Sequence, residues 1–323
     1  MAARLSSSSP STKTLDHIVH LTPPGTVEQA SEQFRALGFT STICDYPVIH
    51  GGTHADGLTA NALVILGDAV YLELISFTQP ASSYPPSSPQ RKARDSHQWA
   101  NKPPGWLAFA FLGAPDASPP ISALINARAE AGGSDVRYAP EVAGGRRRGD
   151  GVALQWVLST PRRWAEPHGG SRLPFYCGDV TPRALRVPTE PKSNAAHPNT
   201  AQCVARMHVL APRAAFAAVS LELQCALGEP PIALSPAMHV WLLDPLPEAV
   251  AEAQAAGVPA WHPRLILQVA DESIEEEVRF VDEHGPGLYE VSFRVEKGAR
   301  GTVKTPYGRI SWIPSAELKY DAQ

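Results

Sequence analysis

The sequence predicts an α+β protein assembled from paired βαβββ modules, and three observations lead to this fold class. Residues 15–77 give the order strand, helix, strand, strand, strand, and a similar order begins again at residue 105. Proline is unusually frequent, with 32 residues in 323. These prolines are concentrated between the units, in 78–104 and 180–199, which indicates short elements joined by turn-rich segments rather than a helical bundle.

The first unit is the most regular part of the pattern. LDHIVHLT (15–22) mixes β-branched and polar residues and predicts a strand, which Pro23, Pro24 and Gly25 end. TVEQASEQFRALG then predicts a helix that stops at Gly38, with one apolar face. We expect a strand over 40–48, a loop over 50–57, and two apolar strands over 58–66 and 70–77.

The rest of the chain is divided by its proline-rich stretches. The Pro/Ser-rich stretch 78–104 cannot easily supply a core and predicts a linker. The second unit is expected to contain a helix over 119–131 and strands over 105–113, 136–138, 152–158 and 173–177. We therefore predict a disordered tail (1–13), a domain of two βαβββ modules (14–180) and an additional module-like C-terminal α+β domain (200–323).

Composition excludes several functional classes. The net charge of −4 gives no basic field for nucleic acid or anionic lipid. The apolar region 61–77 is interrupted by Asp68 and Glu73, so it does not predict a membrane span. Four dispersed cysteines without a CxxC pair, and a polar N-terminus without an apolar signal core, predict a reducing, cytoplasmic setting. A small molecule is the expected partner, and the oligomeric state stays open.

Three segments resemble one known family. LDHIVH (15–20), GGTHADGLTANAL (51–63) and YLELISF (71–77) are together similar to the glyoxalase-like branch of the vicinal oxygen chelate superfamily. LQWVL, which contains Trp156, and LPFYCGD (173–179) resemble the second module of that branch. The resemblance implies two βαβββ modules, the vicinal oxygen chelate fold, whose curved sheets surround a cleft for a small molecule and a metal ion.

The resemblance also implies a set of metal ligands. In the family, a His on the first strand and a Glu on the fourth bind a divalent ion, and His17 and Glu73 occupy those strands here. His54, in the loop that follows GGT, is the expected third ligand. Imidazole and carboxylate ligands suit Zn, Fe, Mn, Co or Ni, so the metal is not identified. Such an ion would act as a Lewis acid toward substrate oxygens.

This sequence departs from the complete family pattern. The strand GWLAFAFLG contains no His, and LPFYCGD contains no Glu, so the second module lacks the expected ligand pair. Tyr176, Cys177 and Asp179 are the nearest alternatives. Ala60 stands immediately before Asn61, where relatives often have a His. These departures leave a non-catalytic, small-molecule-binding protein of the same fold as the alternative to an enzyme.

The predicted roles follow from residue type. Glu73 is flanked by Tyr71, Leu72, Leu74 and Ile75, and an unpaired carboxylate is costly to bury there, so it should face a cation, a partner or water. We predict Glu73 and His54 as catalytic residues, with lyase, isomerase or dioxygenase chemistry open. Alternation places His20 on the other strand face, in a structural role. The predicted substrate-binding residues are Asn61, Trp156 and Tyr176.

Two further groups carry weaker predictions. Arg146, Arg147 and Arg148 lie between glycines, which indicates a solvated loop, with contact to an anionic ligand as the alternative. His208 and Glu290 lie on two predicted C-terminal strands and repeat the pairing of a His with a Glu. Their 82-residue separation does not match the first module, so a shared metal is the less favoured reading.

Overall fold

The computed structural model describes residues 10–39, 49–54, 56–148, 150–164, 171–297, 300–305 and 308–318. Residues 1–9 of the predicted tail and the predicted strand over 40–48 lie outside these ranges. The predicted α+β class of paired βαβββ modules is confirmed, and the described strands form two mixed sheets, one of eight strands and one of seven. No helix in the described ranges has the length and apolar character needed to cross a bilayer.

The first sheet contains two modules related by the same strand order. Its strands, in chain order, are β1 (Leu15–Thr22), β2 (Ile49–Thr53), β3 (Thr59–Ile65), β4 (Tyr71–Phe77), β5 (Gly105–Leu112), β6 (Val142–Arg147), β7 (Ala153–Ser159) and β8 (Phe175–Asp179). Helices in this region are α1 (Val27–Ala36), α2 (Pro89–Ser96), α3 (Ile121–Gly132) and α4 (Arg183–Arg186). The spatial order is β2-β3-β4-β1-β5-β8-β7-β6, so the modules meet along the antiparallel pair β1–β5.

The second sheet repeats most of this plan. Its strands are β9 (Ala201–Ala211), β10 (Ala233–Ser235), β11 (Met238–Leu242), β12 (Arg264–Val269), β13 (Gly287–Val295), β14 (Gly301–Thr305) and β15 (Gly308–Pro314). Its helices are α5 (Arg213–Leu227), α6 (Pro247–Ala255), α7 (Glu275–His284) and α8 (Ser315–Leu318). The order β10-β11-β12-β9-β13-β15-β14 corresponds, strand by strand, to the order β2-β3-β4-β1-β5-β8-β7 of the first sheet. No strand among the described residues of the second sheet corresponds to β6.

Several local predictions were wrong. The expected loop over 50–57 is strand as far as Thr53, because β2 pairs with β3 up to Ala60. The expected strand over 136–138 contributes a single bridge from Tyr138 to Pro161, and the strand lies instead at β6. The expected linker contains α2, which begins at Pro89 after Ser88 accepts a hydrogen bond from the Arg91 amide.

One apolar core joins the two sheets. The convex face of the first sheet packs against α1 and α3, and this core continues through α5 into the second sheet. Phe34, Phe109, Ile125, Leu223 and Phe293 are fully buried members of it. The Trp106 indole also donates to the Arg309 carbonyl oxygen at 2.9 Å, across the two sheets. A separate apolar cluster covers the concave face and lines the cleft described below.

His20 lies on the convex face, inside the joint core. Its ring packs edge-on against Phe34 at 5.2 Å and Trp106 at 4.9 Å between centroids. The side chain is fully buried, and this loss of water lowers its pKa to about 3. His20 is therefore neutral in the folded protein at neutral pH and acts as a packing element.

The burial of His20 predicts a pH dependence of stability. The unfolded chain takes up a proton on His20 near its ordinary pKa of 6.5, whereas the folded protein does so only near pH 3. The free energy of unfolding therefore falls as the pH falls through this window, by about 1.4 kcal/mol per pH unit from this group. In His20→Phe this contribution is absent, so urea unfolding between pH 6 and pH 4 should show a shallower decline. The same slope in both proteins would contradict this account.

Candidate functional site

A cleft of about 450 Å³ opens on the concave face of the first sheet. Both modules contribute to it, and so does the excursion between β4 and β5. Most of its wall is apolar. The main apolar side chains are Leu63, Trp99, Trp156, Leu158, Trp164 and Phe175. Its polar side chains include a group from the first module, among them His17, His54, Asn61 and Glu73.

Glu73 is the centre of this polar group. It lies on β4 opposite Leu63 of β3, and its side chain is only 8% exposed. Asn61 is two residues from Leu63, on the same face of β3, so it is a diagonal neighbour of Glu73. The Asn61 amide donates a hydrogen bond of 2.5 Å to Glu73 Oε1. The sheet register therefore brings together two of the predicted site residues.

His17 reaches the same carboxylate from β1. Its Nε2 lies 3.8 Å from Glu73 Oε2, and its ring stacks on Tyr71 at 4.6 Å with an interplanar angle of 14°. Phe175 of the second module packs edge-on against the other side of the ring. His17 Nδ1 lies 2.7 Å from Asp16 Oδ2. The imidazole is thus held on three sides, with Nε2 directed at Glu73.

His54 approaches Glu73 from the opposite edge of the cleft. It follows β2, where its amide donates to the Thr59 carbonyl oxygen at 2.9 Å and its Nδ1 lies 2.8 Å from Thr59 Oγ1. Its Nε2 lies 3.8 Å from Glu73 Oε1. The structure therefore places His17, His54 and Asn61 around the carboxylate of Glu73. All four are predicted site residues.

Behind His17 lies a buried network of four charged side chains. Asp16 is fully buried and contacts Arg183 Nη1, and its two oxygens lie 3.2 and 3.3 Å from Arg186 Nη2. Arg186 also binds Asp179 at 2.6 and 2.7 Å and the Tyr71 hydroxyl at 2.6 Å. Although burial alone would raise the pKa of Asp16, the two arginines hold it well below its usual range.

The ionised state of Asp16 determines the tautomer of His17. A carboxylate without a proton can only accept a hydrogen bond, so His17 Nδ1 must be the donor. Neutral His17 then presents the lone pair of Nε2 to the cleft and to Glu73. Asp16 is thus a positioning residue for the site, although it does not line the cleft.

The second module supplies the apolar wall. Trp156 on β7 lines the cleft and packs edge-on against His54 at 6.4 Å. Gly144 on β6 permits this position, because a Cβ there would overlap the indole nitrogen and lie 3.0 Å from Cδ1 of Trp156. Cys177 also lines the cleft, and burial raises the pKa of its thiol to about 12, so it is a neutral thiol.

Tyr176, predicted as a substrate-binding residue, is not brought to the cleft. It alternates with Phe175 and Cys177 on β8 and therefore points to the convex face. Its hydroxyl donates to the carbonyl oxygens of Thr12 and Ala226, each at 3.0 Å, inside the joint core. Asp179 is likewise held by Arg186. Neither side chain is positioned to contact a molecule bound beside Glu73.

Several contributors to the cleft were not selected from the sequence, or were given a different first interpretation. Trp99 comes from the stretch expected to be a linker, and Trp164 follows β7. Arg146, expected in a solvated loop, lies on β6 opposite Leu154 and is only 7% exposed. Alternation along β6 would have found it, because Arg146 and Gly144 share one strand face while Arg147 is exposed on the other.

The residues present do not complete a metal site. No group of three or more His, Cys, Asp or Glu side chains within the described ranges is arranged to hold a metal ion. Where the family has ligands from the second module, this cleft presents Phe175 and the neutral thiol of Cys177. Glu73 Oε1 already accepts a hydrogen bond from Asn61, and the guanidinium of Arg146 adds a positive charge that opposes a cation.

The rival pair His208 and Glu290 lies side by side in the second sheet, on β9 and β13. Glu290 is already engaged there, because Arg309 Nε lies 3.2 Å and the Ser311 hydroxyl 2.6 Å from its oxygens. Burial lowers the pKa of His208. The pair therefore consists of a carboxylate whose charge is balanced by Arg309 and an imidazole that carries no charge.

Comparison with known proteins identifies the family. A model of the glyoxalase-like domain matches residues 15–223, which is more than half of the chain. The chain therefore belongs to the glyoxalase-like domain family, within the vicinal oxygen chelate superfamily. Among curated proteins, none matches it significantly.

Solved structures resemble this chain at low sequence identity. A hypothetical protein from Staphylococcus aureus gives a TM-score of 0.58 at 10% identity, covering 93% of this chain and 99% of that one. A 4-hydroxymandelate synthase variant from Streptomyces coelicolor gives 0.43 at 13%, covering 89% and 72%. Methylmalonyl-CoA epimerase from Mycobacterium tuberculosis gives 0.31 at 17%, covering 56% and 97%. These likenesses concern the fold.

The buried network predicts an unequal effect of two matched substitutions. Asp16→Asn leaves Arg183 and Arg186 without a buried counter-charge, so the free energy of unfolding should fall by about 3–5 kcal/mol. Asp95→Asn removes the half-exposed partner of Arg91 on α2 and should change it by less than about 1 kcal/mol. Urea unfolding at pH 7 measures both. Equal losses in the two variants would show that the network does not stabilise the site.

Proposed function

We propose that this chain is an enzyme that transfers a proton at a carbon atom next to a carbonyl group of a small organic molecule. The observation that carries the proposal is the convergence of His17 Nε2, His54 Nε2 and the Asn61 amide on the carboxylate of Glu73. This arrangement lies in a cleft with a largely apolar wall, which limits the access of water to the reacting atoms.

The reaction can be written with these residues alone. A C–H bond of the substrate breaks, its proton moves to Glu73 Oε2, and its electron pair delocalises into the neighbouring carbonyl as an enolate. Return of the proton to the same carbon after exchange with water replaces its hydrogen. In a 2-hydroxy carbonyl substrate, its return to the former carbonyl carbon, while the hydroxyl proton moves to the former carbonyl oxygen, isomerises the substrate. Departure of a leaving group from the enolate completes a lyase reaction instead.

The neighbours of Glu73 have separate tasks in this step. The Asn61 amide fixes one carboxylate oxygen, which leaves the other for the substrate. His17 Nε2 lies 3.8 Å from that second oxygen, so the imidazole can take up the proton and return it. His54, whose side chain is 20% exposed, stands at the cleft edge where it can exchange the proton with water.

Proton exchange into deuterium oxide tests this proposal without knowledge of the natural substrate. Benzylpyruvate and its uncharged counterpart benzylacetone both carry exchangeable protons beside a carbonyl. We expect the wild-type protein to accelerate loss of these proton signals in NMR spectra above the buffer rate for at least one probe. Glu73→Gln should lower the protein-dependent rate at least about 100-fold, because a general base contributes roughly that much.

Glu290→Gln is the matched control for Glu73→Gln. It makes the same change at another carboxylate on a strand, outside the cleft, and should leave the exchange rate unchanged. Exchange that Glu73→Gln leaves intact would contradict the proposal. Tight binding of both probes without any exchange would favour the non-catalytic binding protein of the same fold.

The family resemblance implied a divalent ion on His17, His54 and Glu73, whereas the proposed proton transfer does not use one. Elemental analysis of the purified protein, with His17→Ala as the comparison, tests for such an ion. Because the residues present do not complete a metal site, we expect less than about one-tenth equivalent of Zn, Fe, Mn, Co or Ni per chain. A stoichiometric metal that is lost in His17→Ala would contradict this expectation and return the cleft to metal-dependent chemistry.

A further inference from the structure

We propose that the cleft binds a monocarboxylate with an aromatic or large apolar body, and that Arg146 holds its carboxylate group. This inference deepens the proposed function by naming the substrate class of the same cleft. It rests on the charge, the hydrogen bonding and the surroundings of Arg146. Neither the proton transfer at Glu73 nor the fold requires an arginine at this position.

Arg146 is a charged side chain removed from water without a matching acid. It is 7% exposed, and its Nη1 has no hydrogen-bond partner among the described residues. Burial lowers the pKa of the guanidinium, while Glu73 is the nearby carboxylate that raises it most. Arginine nonetheless keeps its charge in proteins. An anionic ligand would stabilise a buried cation in this state, because none of the described residues forms a close ion pair with it.

The other arginine of the cleft shows the contrast. Arg186 also lines the cleft, but it is fully engaged by Asp16, Asp179 and the Tyr71 hydroxyl. Glu73 does not play that part for Arg146, because its oxygens face Asn61 and the two histidines. One guanidinium therefore remains available to an anionic ligand.

The charge balance of the cleft favours a carboxylate over a group with two charges. A single negative charge neutralises Arg146, and a second one would be repelled by Glu73 in a poorly solvated cleft. The planar fork of a guanidinium also matches a carboxylate in a two-bond geometry.

The remaining surface of the cleft describes the body of the ligand. Three tryptophans, Phe175, Leu63 and Leu158 form the wall, and aromatic walls of this kind favour flat apolar groups. Besides Arg146 Nη1, three polar atoms of cleft residues are buried without a hydrogen-bond partner in the described part of the chain, namely Nε1 of Trp99, Nε1 of Trp164 and Oδ1 of Asn61. A ligand with an oxygen besides its carboxylate would satisfy the indole donors.

Calorimetric titration with naphthoate and its uncharged amide, naphthamide, tests the inference. Both probes are unreactive and share one apolar body, so their difference reports the carboxylate. We expect the wild-type protein to bind naphthoate at least about 10-fold more tightly than naphthamide, as a charge-assisted pair predicts. Equal binding of the two probes, or preference for the amide, would overturn the inference without any variant.

Substitutions at two positions on the same strand test which side chain binds the carboxylate. Arg146→Met should abolish the preference for naphthoate, and Arg146→Lys should keep part of it. Arg147→Met is the matched control, because Arg147 is exposed on the other face of β6 and donates to the Gly151 carbonyl oxygen. It should retain the wild-type preference. A preference that survives in Arg146→Met, or disappears in Arg147→Met, would assign the anion to another group.

Glu73→Gln separates this inference from the proposed function. Removing that negative charge should leave the preference for naphthoate intact or increase it, although the proton exchange is lost. If exchange fails but the preference follows Arg146, the substrate class stands and the chemistry is wrong. If benzylacetone exchanges normally but no probe shows a carboxylate preference, the chemistry stands and this inference is wrong.

Discussion

The structure of the first sheet depends on a charge network centred on the fully buried carboxylate of Asp16. Removing a charge from water is costly unless counter-charges and hydrogen bonds replace the water. Arg183 and Arg186 of α4 provide the counter-charges, and His17 provides a hydrogen bond. These partners come from opposite ends of the first sheet's sequence, so the network fastens the segment after β8 to β1. It also fixes the ring of the one histidine that approaches Glu73 from β1.

The two modules contribute different kinds of side chain to the cleft. The first module supplies the polar set, because parallel pairing of β1 with β4 and antiparallel pairing of β3 with β4 place His17 and Asn61 diagonally beside Glu73. The second module supplies Trp156, Phe175 and the guanidinium of Arg146. In the proposed function, the first module transfers the proton and the second module binds the ligand.

The sequence predicted the first module well because its strands follow simple alternation. His17 and Glu73 could be selected because the family resemblance implies ligands on their strands, and the apolar neighbours of Glu73 supported its selection. Asn61 lies in a segment of the same resemblance. The second module was less predictable. Arg146 sits in GGRRRG, where glycines suggest a loop, and the strand is recognised only once β7 is known to pair with it. Tyr176 has the chemistry of a substrate contact, but the register of β8 turns it toward the core.

The excursion over 78–104 shows a second limit of sequence reasoning. Its proline and serine content describes a solvent-exposed chain correctly, yet Trp99 within it reaches the cleft. Arg94 at the end of α2 also packs over the Phe77 ring, 3.2 Å from the centroid, which anchors the excursion to β4. Contacts of this kind depend on tertiary packing between residues that carry no shared periodicity, so composition alone could not predict them.

A crystal structure of the protein with naphthoate bound tests the account most directly. The account predicts the carboxylate on the Arg146 guanidinium, the ring system against Trp156, and Glu73 still held by Asn61 between His17 and His54. A direct ion pair between Arg146 and Glu73, with the ligand carboxylate elsewhere, would contradict it, because that pair would remove both the base and the anion site.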